Sequence, residues 1–297
     1  MLTTEQLEAR KKGIGGSDVA AILGLSKWQT AHGLYLEKRG EIPDDPQETS
    51  EVQHWGNVLE DVVAKEFERQ NDLKVRKRNQ HFTHKEYPFL MANIDRSVDG
   101  LQAILECKTA GQFMVAEWGE SGSDQFPDYY RVQLEHYMNV LGYKQGYLGV
   151  LIGGNQYRQY YIEQDQELSE MIIQHCVEFW DRVKSGNPPE IDYDHRTTGD
   201  MLKRLHTGTD GEVIYLPDQI QPWVDVLEQA KATVKENQGV VDACKNRIAE
   251  AMGDAAVGIV PDGDYQFKRS LTKRKESIMA ATEFMVLRGS KYKRETQ

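Results

Sequence analysis

Three residues in one short stretch have the types and spacing to do chemistry together. Asp95 precedes a turn containing Asp99 and Gly100, a mostly apolar run spans Leu101 to Leu105, and the triplet Glu106-Cys107-Lys108 follows. Alternation along a strand puts Glu106 and Lys108 on one face and Cys107 on the other, with acid and amine ~6–7 Å apart along the chain. Carboxylates that converge without a cation repel each other, so the pattern suits a Mg²⁺ or Mn²⁺ site. Asp95 and Glu106 would be its principal ligands, with the Cys107 backbone carbonyl as a further oxygen donor and the Cys107 thiol silent in the core. Metal-assisted phosphodiester cleavage is the chemistry such a set could perform, Lys108 orienting or deprotonating water and stabilising charge on the phosphate. Glu60, on an upstream helix, is a candidate third carboxylate. An acid on a helix is ordinarily a solvated residue, and only a partner site lifts Glu60 above that.

These residues need a scaffold, and periodicity supplies one. A short helix is expected over residues 4–12, followed by GIGGSDVAAILG, where Ser17-Asp18 can cap an apolar helix from Val19 to Leu23. Arg10, Ser17 and the helix N–H groups could cradle a phosphate; an ordinary N-cap with a flexible, glycine-rich entry is the alternative. A helix from Ala31 to Arg39 stops at Gly40, and residues 41–50 form a polar, Pro-containing loop. The spacing of Val58, Leu59, Val62, Val63 and Phe67 predicts a helix from Trp55 to Asn71. Strands are predicted over 73–83, 89–95 and 101–108, the last two paired through the Asp99-Gly100 turn, then a surface loop over 109–128. A helix from Asp128 to Leu141, ended by Gly142, puts Tyr130, Gln133 and Tyr137 on one face, as core rim or as substrate contacts. Strands at 146–152 and 157–163 join through Gly153-Gly154-Asn155, and a helix from Leu168 to Lys184 closes the region.

Residues 1–189 thus read as one α/β domain, a mixed central β-sheet flanked by helices. Residues 190–221 are polar and read as a linker, and 222–297 as a C-terminal helical and β-hairpin extension. Its long helical segment, Pro222 to Met252, carries heptad-like spacing at Val226, Ala230 and Val234 and is expected to break near Gly239. A hairpin turns at Pro261 to Asp264, and the basic tail from Lys273 is expected to be partly disordered.

The 297-residue chain carries 36 Lys and Arg against 47 Asp and Glu, a net charge of −11 that argues against a nucleic-acid partner when taken alone. Basic residues nevertheless cluster at 10–12, 74–78, 268–275 and 291–294, which leaves room for a local basic groove beside the plainer reading of solvated faces. No apolar run long enough to span a membrane and no apolar leader is expected, and three isolated cysteines suit a reducing cytoplasm and exclude a zinc ribbon.

Taken together, GIGGSDVAAILGLS, WGNVLEDVVAKEF, YPFLMANIDRSVDG, ILECKTA and DYYRVQLEHYMNVLG resemble the YqaJ-type viral recombinase family, related to the phage lambda exonuclease within the PD-(D/E)XK nuclease superfamily. The match spans roughly residues 5–183 in the family's order. The resemblance implies a restriction-endonuclease-like core and a Mg²⁺-dependent exonuclease that resects one strand of linear duplex DNA, generally 5′ to 3′. The remaining 3′ strand would pass to a phage single-strand annealing protein. It further implies a ring-like homo-oligomer, a trimer in the best known relative, and a phage or prophage protein of the bacterial cytoplasm. By motif, Glu60 matches the helix glutamate, Asp95, Glu106 and Lys108 the superfamily core, and Gln133 and Tyr137 the bracing helix. Arg10 and Ser17 match the opening motif, where a terminal 5′ phosphate could sit. The proline usual before the aspartate is Ile94 here, which alters turn rigidity and not ligation. Two other readings compete: a metal-dependent endonuclease or structure-specific nuclease, and a non-catalytic DNA-binding recombination factor. Retention of all four core positions disfavours the second.

Overall fold

A computed structural model of the chain describes residues 10–43, 51–78, 80–208, 211–261 and 265–271. Two compact units result, Met1–Thr207 and Gly208–Gln297.

Five strands form the main sheet of the first unit, in the order β1-β4-β5-β6-β7: β1 (Val75–Lys77), β4 (Arg96–Val98), β5 (Ala103–Ala110), β6 (Gln145–Ile152) and β7 (Gln156–Glu163). β5 and β6 run parallel and the other neighbours antiparallel, so the sheet is mixed, as expected. A parallel pair needs a crossover. Here it is α4 (Asp128–Leu141), ended by Gly142 in the left-handed conformation at φ 68°. Helices α1 (Gly16–Ile22), α2 (Ala31–Arg39), α4 and α5 (Gln166–Ser185) share one large core with the sheet's strands, including Ile14, Leu34, Leu134, Leu148 and Ile172. On the opposite face α3 (Glu51–Asn71) buries Ala64 and Phe67 against Val98, Ala103 and Leu105. The odd-numbered residues of β5 therefore meet α3 and the even-numbered ones meet α4.

Several expectations shift in detail. α3 begins four residues before Trp55, and its buried face is Val63, Ala64 and Phe67, while Val58 and Val62 are exposed. The strand expected over 73–83 divides: β1 joins the main sheet, and β2 (Phe82–Thr83) pairs with β3 (Met91–Ala92) in a separate ribbon. Asp95 is consequently not the end of a strand but the bend residue that leads into β4. The loop at 109–128 carries a 3-10 turn, Gln112–Glu117. Residues 190–207, expected as linker, belong to the first unit: α6 (Thr198–Leu205) buries Met201 in the large core, and Arg204 donates to the Pro43 carbonyl at 2.6 Å. The short helix expected over 4–12 lies mostly outside the described residues, as do most of the 41–50 loop, the hairpin turn at 262–264 and the basic tail.

In the second unit, α7 (Gln221–Met252) is one unbroken 32-residue helix. Gly239 sits inside it, where a glycine costs about 1 kcal/mol relative to alanine without forcing a break. Strands β8 (Val257–Ile259) and β9 (Gln266–Lys268) form the expected hairpin, and Arg269 donates to the Gly253 and Ala249 carbonyls at the helix's C-terminal end. Among the described residues no helix is long and apolar enough to cross a membrane.

Candidate active site

The register of β4 on β5 assembles the site. Arg96 pairs with Leu105 and Ser97 with Ile104, so Asp95 falls opposite Glu106 on the face covered by α4. Asp95 Oδ2 accepts a hydrogen bond from the Cys107 backbone N–H at 2.8 Å. Glu106 is buried, and its Oε1 accepts from Lys108 Nζ at 2.6 Å and from Gln133 Nε2 at 2.8 Å. Its second oxygen, Oε2, is buried and meets no donor among the described residues. Gln133 also donates to the Tyr137 hydroxyl at 2.9 Å and accepts from Lys108 at 3.2 Å, so its whole amide is engaged in holding the acid and the amine. The helical spacing of Gln133 and Tyr137 makes this possible, and both are buried.

Electrostatics follow from that crowding. Burial first, then the Glu106 charge, pushes the Asp95 carboxyl well above the ordinary carboxylate range. Burial works against the Lys108 ammonium, but Glu106 and Asp95 beside it hold it charged, above the usual lysine range. Tyr130 adds to this, with Lys108 Nζ 4.8 Å from its ring centroid in a cation–π contact. With both acids ionised the cluster is one positive charge short, and the raised Asp95 carboxyl meets that shortfall with a proton that a cation would displace. With an orphaned carboxylate oxygen and hard oxygen donors, the set fits a divalent cation such as Mg²⁺ or Mn²⁺.

Glu60 occupies a different place from the one its sequence position suggested. It projects from α3 toward the opposite face of the sheet, where its Oε1 accepts from Arg96 and lies 3.1 Å from Lys77 Nζ in an ion pair. Arg96 is itself buried, pairs with Asp61, and donates to the Asp95 carbonyl at 2.7 Å. Glu60 thus connects to the Asp95 bend through Arg96. Among the described residues no three acidic, histidine or cysteine side chains gather closely enough to hold a metal ion. Arg96 escaped the sequence reading, although an arginine directly after a candidate ligand, on a strand bounded by Val98, is a visible signal.

The opening motif reaches the site from below. Gly13 and Gly16 are required for close approach and not for unusual dihedrals: a Cβ would lie 2.4 Å from the Phe89 carbonyl oxygen at Gly13 and 2.4 Å from Tyr137 Cε1 at Gly16, and neither has positive φ. α1 starts at Gly16, so Ser17 is inside the helix with its side chain exposed, and Asp18 accepts from the Gly15 N–H at 2.9 Å. Of the expected Ser17-Asp18 cap, Asp18 makes the contact and Ser17 does not. Lys38, also missed, is buried against Asp18 at 2.6 Å and donates to the Arg10 carbonyl at 2.6 Å. A continuous path, Gly16 to Tyr137 to Gln133 to Glu106, links this motif to the acid pair.

Comparison with known proteins bears on the same region. The YqaJ-like viral recombinase domain matches residues 5–144, which takes in Glu60, Asp95, Glu106, Lys108, Gln133 and Tyr137. The chain is 39% identical over 273 residues to the uncharacterized protein YqaJ of Bacillus subtilis (strain 168), covering 90% of this chain and 82% of that relative. It superimposes with a TM-score of 0.51 on the crystal structure of an alkaline exonuclease, LHK-Exo, from Laribacter hongkongensis, at 17% identity over 62% of this chain and 94% of that one. At that identity the likeness is one of fold.

Proposed function

The chain belongs to the YqaJ-like viral recombinase domain family, and from that premise we propose that it is a metal-dependent exonuclease that degrades one strand of linear duplex DNA, 5′ to 3′, leaving a 3′ single strand for recombination by annealing. The observation that carries this reading is the pairing of half-buried Asp95 with buried Glu106, one Glu106 oxygen lacking a donor among the described residues and a charged lysine against the other. Asp95, Glu106 and the Cys107 carbonyl are the residues that would hold Mg²⁺. When bound there, such an ion would supply Lewis-acid polarisation of a phosphate and of water. Lys108 donates to oxygens of the phosphate as charge builds there, because a protonated amine held by Glu106 and Gln133 is a donor and not a base. Gln133 and Tyr137 keep Lys108 and Glu106 in register. Arg96, held by Glu60, fixes the bend that presents Asp95. Arg10 and Ser17 would receive the terminal 5′ phosphate, Ser17 following the Gly16 that packs against Tyr137. A ring of identical subunits around the duplex, and an annealing protein that takes the product strand, complete the proposal.

End-labelled linear duplex and covalently closed circles, each with and without Mg²⁺, test it. Mononucleotides from the linear substrate alone, only with Mg²⁺, are expected, with Lys108→Ala slower by about 10²–10³-fold. Nicked or linearised circles would favour the endonuclease reading, and undiminished cleavage by Lys108→Ala would overturn the assigned site.

A further inference from the structure

The long helix α7 has no buried residue, yet it carries an apolar seam interrupted only at Asn237. Counting from the residue before it, Ile220, Leu227, Val234, Val241 and Ile248 recur every seven positions. Three residues after each stand Trp223, Ala230, Asn237, Cys244 and Ala251. This alternation of three and four is the a/d repeat of a coiled coil, which fits a second helix and little else. The first four a positions, Ile220 through Val241, are exposed, as is Trp223. Covering the seam would remove on the order of 700 Å² from α7, close to the ~800 Å² per partner of a standard interface.

Charge decides which helix. The flanking e and g positions hold Lys231, Lys245 and Arg247 among neutral residues, and no acid. All five acids, Asp225, Glu228, Glu236, Asp242 and Glu250, lie at b, c and f, away from the seam. Lys231 does pair with Glu228 at 2.8 Å, but that is an exposed pair three residues apart, easily exchanged for a better partner. A second copy of α7 in parallel would set Lys231 against Val226 and Lys245 against Val240; antiparallel, it would set Lys231 against Lys245. Neither register offers these cations an acid. We propose that α7 is a docking surface for an amphipathic helix of another protein, with an apolar a/d seam flanked by glutamates or aspartates at e and g.

The full chain and two synthetic peptides test this. Both peptides carry about four heptads with Ile at a and Leu at d and one Asn placed opposite Asn237, one flanked at e and g by Glu and the other by Lys. Fluorescence anisotropy at low salt is expected to show the Glu-flanked peptide binding about tenfold more tightly than the Lys-flanked one. The triple variant Lys231→Glu, Lys245→Glu, Arg247→Glu should reverse that preference, and Val241→Asp should abolish binding of both, each with unchanged helical circular dichroism. Equal binding of the two peptides, or binding of neither, overturns the proposal. So does a Cys244 disulfide-linked dimer on mild oxidation that Val241→Asp prevents, which would assign the seam to a second copy. Duplex DNA binding lost in the triple variant, with neither peptide bound, would assign the face to nucleic acid.

Discussion

At the scale of single residues, the acid pair opposes the stability of the fold that carries it. Asp95 and Glu106 crowd two carboxyls beside one ammonium in a place that burial makes costly for charge, which is why the Asp95 carboxyl holds its proton well above the ordinary carboxylate range. Glu106→Gln removes the charge that raises Asp95 while keeping the shape and an acceptor for Lys108, and leaves Asp95 to ionise against that ammonium, so the metal-free variant should be more stable than the parent. An increase of about 1 kcal/mol would raise the melting temperature by about 2–4 °C in a domain of this size. Mg²⁺ should raise the parent's melting temperature, because a ligand that binds only the folded state stabilises it, and should leave that of Glu106→Gln unchanged. Thermal melts of both proteins across a Mg²⁺ titration read this directly. A variant less stable than the parent without metal, or equally stabilised by Mg²⁺, would remove Glu106 from the ligand set.

At the scale of elements, α4 organises the site because it is held on both sides. One side presents Gln133 and Tyr137 to β5, while His136 reaches the Met91 carbonyl of β3 at 2.9 Å. Burial depresses the His136 pKa, with the Asp18 charge opposing and His84 assisting. The unfolded chain takes up that proton near pH 6.5 and the folded chain resists it, so stability is complete above about 6.5 and is lost as pH falls, by up to about 1.4 kcal/mol per pH unit. His136→Gln keeps a donor for Met91 and does not titrate. Between about pH 7.5 and 5.5 the parent should therefore lose more melting temperature than the variant, since Glu135, also shifted, is common to both. Parallel pH profiles would show that His136 is not the titrating group. α4 was legible in the sequence because its signals are local: Gly142 ends it and a four-residue spacing aligns Gln133 with Tyr137. The pairing of Asp95 with Glu106 was legible for a similar reason, since a tight turn and strand alternation suffice to bring them together. What was not legible depends on contacts between distant segments. The Arg96–Glu60 ion pair joins residues 36 apart, and which side of α3 is buried depends on a sheet that α3 does not itself encode. Residues 190–207 look like a linker because polar residues dominate, and only sparse anchors such as Met201 and Arg204 reveal that they pack.

For the whole molecule, the charge balance must be reconciled with the polyanionic substrate that we propose. The net −11 is not relieved at 74–78 in the way the sequence suggests, because most of that cluster is already paired. Arg76 lies 2.8 Å from Asp99, Lys77 3.1 Å from Glu60 and Lys74 3.9 Å from Glu68, while Arg78 donates to the Ser97 hydroxyl at 2.8 Å. The three ion pairs involve largely exposed lysine and arginine side chains, and exposed pairs are weak enough for a phosphate to displace the acid. The cluster is therefore a reserve of cations and not a standing positive patch, which on the proposed function would limit nonspecific binding until DNA is aligned on it. Even about three phosphate contacts give a slope near −2.7 in log affinity against log salt, or roughly a 40-fold loss over a fourfold rise in salt concentration. Initial rates at subsaturating linear duplex should fall by that order as salt rises, while rates at saturating duplex change far less. Reversing Arg76 and Lys77 to glutamate should flatten the slope, because the contacts that release counterions are gone. Rates that stay level with salt in the parent would mean that the duplex is held without phosphate contacts, and a ring that tracks along DNA by electrostatic attraction would then be the wrong picture of this molecule.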